Sequence, residues 1–235
     1  MTARLSPFLL SALPPLPDLG EAPPFTGAEL RSLVEGTSAG TAVDAVLLGE
    51  DLLLWLTARA GAVEAGTAGH VLSAEQVAGE QDLPEHLADA AADEDGRLPE
   101  DRLWAAWFER LFEVAAGTGS VFLARWAAWE IGLRNELVRL RAEALDLDAD
   151  ASLVLPQRET AEPGDLALIE DAESAVRHAV DPLAAQEALD RLRLRWLDAA
   201  DPRYSFDDDE LVVYAARLSL VNRWHRISSQ REQET

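Results

Sequence analysis

The 235-residue sequence predicts an all-α protein, with antiparallel helical hairpins in a bundle behind a short extended N-terminal segment. Three observations predict it. Apolar residues return every three or four positions through most of the chain, the period of a buried helical face. Ser, Thr or Asp stands where these runs begin, twice with Glu or Gln three residues on. Glycines and prolines punctuate the connections between the runs.

In chain order, residues 1–25 are punctuated by prolines from Pro7 to Pro24 and read as extended, with a possible short strand at Phe8, Leu9 and Leu10. Thr26 and Glu29 form a capping box that opens a short helix to about residue 35. Gly36 and Gly40 bracket a turn, and a second helix covers residues 41–59. Residues 61–69 form a loop of small residues, after which Ser73 and Gln76 make another capping box. Residues 79–97 are strongly acidic, contain Pro84, and read as a surface excursion with a short helix near residues 85–92. If the single domain of residues 1–235 has a subdomain boundary, this is the place for it.

The strongest periodicity follows. Pro99 suits a first helical position, with Glu100 and Asp101 in the first turn. Leu103, Trp104, Trp107, Phe108, Leu111, Phe112 and Ala115 then recur at helical spacing until Gly117 and Gly119 end the run. A helix of residues 120–144 carries Phe122, Trp126, Trp129, Leu133, Leu137 and Leu140 at steps of three and four. At 1.5 Å per residue it spans about 37 Å. The Gly-rich connection makes these two helices an antiparallel pair. Residues 146–163 are a linker with Pro156 and Pro163. Three helices remain: residues 165–179, one capped by Asp181 with Pro182 first, and one after Asp207–Glu210 that ends near Trp224 and frays from Ser228.

Charge narrows the function. The net charge of -23 repels phosphate and anionic lipid, so no nucleic acid is expected among the partners; it either serves solubility alone or suits a basic protein partner. The chain has no Cys and no Lys, which removes thiol catalysis, Schiff-base chemistry and a phosphate-loop lysine. The most apolar stretch, residues 45–58, contains Glu50 and Asp51, so no membrane insertion is expected. The apolar residues after Arg4 are cut short by Pro14, Pro15 and Pro17, unlike a secretory signal. Together these point to a cytoplasmic protein.

No cofactor, metal or catalytic residue is expected. Asp146, Asp148 and Asp150 match the first three ligand positions of a calcium loop, but Ala151 replaces its Gly and Gln157 its terminal Glu, so they read as a helix exit. The run from Asp207 to Glu210 suits a helix N-terminus. His70, His86, His178 and His225 are not paired at a zinc-binding spacing. The more informative group is Glu130, Arg134 and Asn135, flanked by Trp126 and Trp129. These five are the candidate structural or partner-contact residues. Glu130 and Arg134 stand four apart in the favourable order. They either orient the helices and meet a partner, or form a surface pair worth about 0.3–0.5 kcal/mol.

Three stretches carry a resemblance. Residues 8–14 read Phe-Leu-Leu-Ser-Ala-Leu-Pro, residues 126–147 contain Leu133-Arg134-Asn135, and residues 192–224 complete the pattern. Together they resemble a bacterial family encoded beside the genes of V-type (V/A-type) ATPases. That family is itself distantly similar to the C-type stalk component of the same ATPase, called d in eukaryotes. The resemblance implies an all-helical, non-catalytic protein in which Glu130, Arg134 and Asn135 are structural. It implies the rotor stalk or the membrane ring of the ATPase as partner, and a role in proton transport. The C-type component is a socket for the rotor shaft, with three similar helical parts, and the present chain is shorter. A stand-alone helical adaptor is the alternative, and an enzyme with a carboxylate site stands third.

Overall fold

The computed structural model describes residues 7–61, 63, 66–92, 98–159 and 163–233. Among them the protein is all-helical, as the periodicity predicts. The α-helices are α1 (Pro7–Ala12), α2 (Gly27–Val34), α3 (Gly40–Arg59), α4 (Ala74–Ala78) and α5 (Glu85–Ala92). They continue with α6 (Pro99–Thr118), α7 (Val121–Leu145), α8 (Pro163–His178), α9 (Pro182–Ala200) and α10 (Asp208–Gln233).

Local chemistry sets most boundaries. Thr26 accepts from the Glu29 amide at 3.2 Å while Glu29 accepts from the Thr26 amide at 2.7 Å, closing the capping box on α2. Ser73 and Gln76 do the same for α4. Ser120 caps α7, Asp181 caps α9, and Gly119 ends α6 at φ 76°, a conformation that glycine adopts without a Cβ penalty.

Two expectations are corrected. Residues 8–10 are not a strand but part of α1. A three-residue apolar run has no periodicity of its own, and Leu9 and Leu10 reach the core from a helical turn. Second, α10 does not end near Trp224 but continues to Gln233. Its buried half supplies the nucleus, and each further residue adds a hydrogen bond at little cost. The linker also contains two 3-10 turns, Asp150–Ser152 and Pro156–Arg158. Of the acidic stretch, Leu83 and Leu87 are buried in the common core, while residues 93–97 lie outside the described residues.

The core joins α3, α6, α7, α9 and α10. Trp107 and Trp126 meet edge to face at 5.9 Å, and Trp129 and Trp196 stack at 5.1 Å. All four belong to one core cluster. Between α6 and α7, Trp107 faces Trp126 while Asp101 and Trp104 face Arg134. Earlier residues of α6 therefore meet later residues of α7, the antiparallel order. The N-terminal segment straps α10: the Tyr214 hydroxyl donates to the Pro14 carbonyl at 2.9 Å.

Two close approaches position α3. The Trp107 indole N–H donates to the Ala45 carbonyl at 2.8 Å, laying the ring over Gly49, where a Cβ would stand 2.5 Å from Cζ2. Asp51 is buried and accepts from the amides of His70, Val71 and Leu72 at 2.6–2.8 Å, tying the small-residue loop to α3.

Gly49→Ala should therefore cost about 1–3 kcal/mol, because the indole has to move. Gly117→Ala, with open space around its Cβ, should instead be neutral or stabilise by up to about 1 kcal/mol. Urea denaturation of the two variants checks the contrast. Equal midpoints would show that Trp107 yields freely.

Candidate functional site

The centre of the bundle holds an unbroken chain of opposite charges. On α9, Asp190 is fully buried. Its carboxylate accepts from Arg223 at 2.9 and 3.0 Å, from Arg193 at 2.8 Å, from the Trp224 indole at 2.9 Å and from Gln186 at 3.1 Å. Arg193 turns its other edge to Glu130 of α7 in a bidentate pair at 2.8 and 3.1 Å. Arg223 of α10 grips Glu50 of α3 in the same way, and Arg226 lies 3.6 Å from Glu50. The chain Arg226–Glu50–Arg223–Asp190–Arg193–Glu130 thus crosses four helices.

Burial alone would raise the Asp190 pKa, but Arg223 and Arg193, with Gln186 and Trp224, outweigh it and hold the carboxyl below its ordinary value. Burial likewise works against the charge of Arg193 and Arg223, and the facing carboxylates reverse that, leaving both guanidiniums above the ordinary value. Asp190, Arg193 and Arg223 therefore stay ionised near neutrality.

Beside this chain a cavity of about 530 Å³ opens between α3, α6, α7, α9, α10 and the segment that follows α7. Trp104, Trp107 and Trp126 line its apolar wall, Glu130 and Arg193 its floor, and Arg134 and Arg141 one side.

The five residues singled out in the sequence divide among these features. Trp126 and Trp129 are buried, Trp126 against the cavity and Trp129 beneath Trp196. Glu130 is buried but does not pair with Arg134; its partner is Arg193, 63 positions away. Arg134 turns the other way, stacks over Trp104 at 4.9 Å and touches Asp101 at 3.4 Å. The four-residue spacing predicts a local pair, and the bidentate tertiary partner displaces it. Asn135 is fully buried and clamps the linker, donating to the Val154 carbonyl and accepting from the Val154 amide, both at 2.8 Å. Sequence reasoning misses Glu50, Asp190, Arg193 and Arg223 as site residues. Their signal is a charge set on or beside an apolar helical stripe.

The other acidic groups work as caps. Asp146 is the left-handed C-cap of α7, and Asp148 accepts from the Asp150 amide at 3.0 Å. Asp207 caps α10 through the Asp209 amide. Asp209 reaches further, accepting from the Ser120 hydroxyl and, at 3.1 Å, from the Phe122 amide at the start of α7. Among the described residues no group of three or more His, Asp or Glu is placed to hold a metal ion, and no helix is long and apolar enough to cross a membrane.

The fold and site define an all-helical protein with a charge-clamped core beside a mixed cavity. No family model matches the chain, and no curated protein and no solved structure is detectably similar to it.

Removing one member of the charge chain leaves its partners buried and uncompensated. Arg223→Met should destabilise by about 3–5 kcal/mol in urea denaturation. Acid acts on the same centre. A carboxylate with a depressed folded pKa adds stability above its unfolded value, about 3.9, and that stability is lost as pH falls through the folded value. The denaturation midpoint should thus drop steeply below about pH 4. In Asp190→Asn that slope should flatten; an unchanged slope would place the acid sensitivity elsewhere.

Proposed function

We propose that the protein is a non-catalytic subunit or accessory protein of a V-type ATPase that binds the central rotor-stalk region or the membrane ring through its acidic exterior. On this reading it is cytoplasmic and peripheral to the membrane, and it contributes to proton transport without inserting into lipid. The partner rests on the resemblance at residues 8–14, 126–147 and 192–224. The observation that favours binding over catalysis is the charge chain. Glu50, Glu130 and Asp190 each face a guanidinium at hydrogen-bond distance, so the interior carboxylates are occupied as fasteners. With the interior close to electrical balance, nearly all of the net charge of -23 falls on the exterior.

An acidic exterior speeds capture of a basic partner, and salt opposes it. Screening shortens from about 10 Å at 0.1 M to about 3 Å at 1 M salt. Affinity purification of the tagged protein from its own organism, at low and at high salt, tests the proposal. Rotor-stalk or membrane-ring subunits should co-purify at low salt and diminish at high salt. Their absence under both conditions, with the ATPase expressed, would leave the stand-alone adaptor in its place.

A further inference from the structure

The cavity has an asymmetry that the charge chain does not explain. Its floor is compensated, since Glu130 and Arg193 neutralise one another. Its α7 side is not. Arg134 is partly buried, yet among the described residues its only hydrogen bond is the 3.4 Å contact from Nη2 to Asp101. Its Nε–H is buried with no acceptor, and burial depresses its pKa, with Arg141 and Arg193 adding repulsion that Asp101 only partly offsets. Arg141 lies two turns further along the same face, about 10 Å away, and forms no ion pair among the described residues. Five N–H groups in a fixed fork suit a carboxylate held by two bonds. Arg134 offers such a fork already oriented by its stacking on Trp104.

Elsewhere apolar side chains dominate the cavity, and Glu50, Gln186, Ser219 and Arg223 also line it. Its rim carries Leu98, Leu145 and Leu147, 61–67% exposed, and it reaches inward to Trp107 and Phe108, which are almost fully buried. A cavity of about 530 Å³ has room for a slender flexible chain but not for several turns of a helix about 10–12 Å wide. The volume of about 530 Å³ falls within the roughly 300–1,000 Å³ of small-molecule sites.

We infer that this cavity binds an amphipathic monocarboxylate, an acyl chain or equally slender apolar body whose ionised head sits on Arg134 and Arg141. The chain lies along the wall formed by the indoles of Trp104, Trp107 and Trp126, with the three rim leucines at its outer end. Asp101 and Asp148 are the acidic groups on that side. Asp101 engages only Nη2 of Arg134, and Asp148 is turned to the Asp150 amide. With Nε buried, the free Nη donors of Arg134 are left to the ligand.

Isothermal titration with decanoate, decan-1-ol and propionate, followed also by tryptophan fluorescence, separates the head from the chain. Decanoate should bind once per protein and saturably, decan-1-ol more weakly, and propionate not measurably. Arg134→Gln should weaken decanoate about tenfold while leaving decan-1-ol unchanged, the difference expected for a charge-assisted bond. Because Arg134 is partly structural, Arg141→Glu serves as the second variant. Its exposed position spares the fold, which circular dichroism confirms, and its reversed charge should also weaken decanoate selectively. No decanoate binding, equal binding of decanol and decanoate, or decanoate binding indifferent to both substitutions would overturn the inference.

Discussion

The bundle depends on Asp190. A buried carboxylate is tolerated only when its lone pairs are met, and here two arginines, an indole and an amide meet them. Because those arginines also reach Glu50 and Glu130, one residue on α9 fixes α3, α7 and α10 relative to itself. Apolar contacts between Ala- and Leu-rich faces are non-directional. Bidentate guanidinium–carboxylate geometry is not, and it admits a single axial position for each helix. The net stabilisation from such a chain is modest, since desolvating each ion offsets much of the attraction. What it supplies is register.

The same logic shows why the fold is legible in the sequence and the site is not. The helices are written in local terms: Thr26 with Glu29, Ser73 with Gln76, and Asp181 before Pro182 each act within one turn. Only the Asp190–Arg193 link is local; the links between helices join positions 33, 63 or at least 173 residues apart, and helical periodicity carries no information about such partners. Glu50 illustrates the gap. In the sequence it marks only an interruption of an apolar stretch. In the fold it is the counter-ion of α10. Glu130 stands out for its setting between two tryptophans, but nothing local selects Arg193 over the nearer Arg134. The same limit hides α1, whose three apolar residues fit a strand as well as a helix until the core beneath them is known.

Arg134 and Arg193 are a useful contrast, since both approach the cavity from neighbouring helices and both are desolvated. Arg193 has carboxylates on two edges and is a finished structural element. Arg134 has one long contact and an aromatic shelf. Similar burial with unequal compensation separates a group that holds the fold from one positioned to receive something.

The long reach of the Glu50–Arg223 link has a consequence for the birth of the protein. During synthesis at about 5–20 residues per second, the 173 residues that part them take roughly 9–35 s to be made. For that interval α3 carries a carboxylate on its apolar face with no counter-ion, and Glu130 waits in turn for Arg193. The last link of the charge chain can form only after Arg223 has been made. Consolidation is deferred until α10 has emerged, and an unfinished chain presents an open, incompletely neutralised core to whatever chaperones attend it.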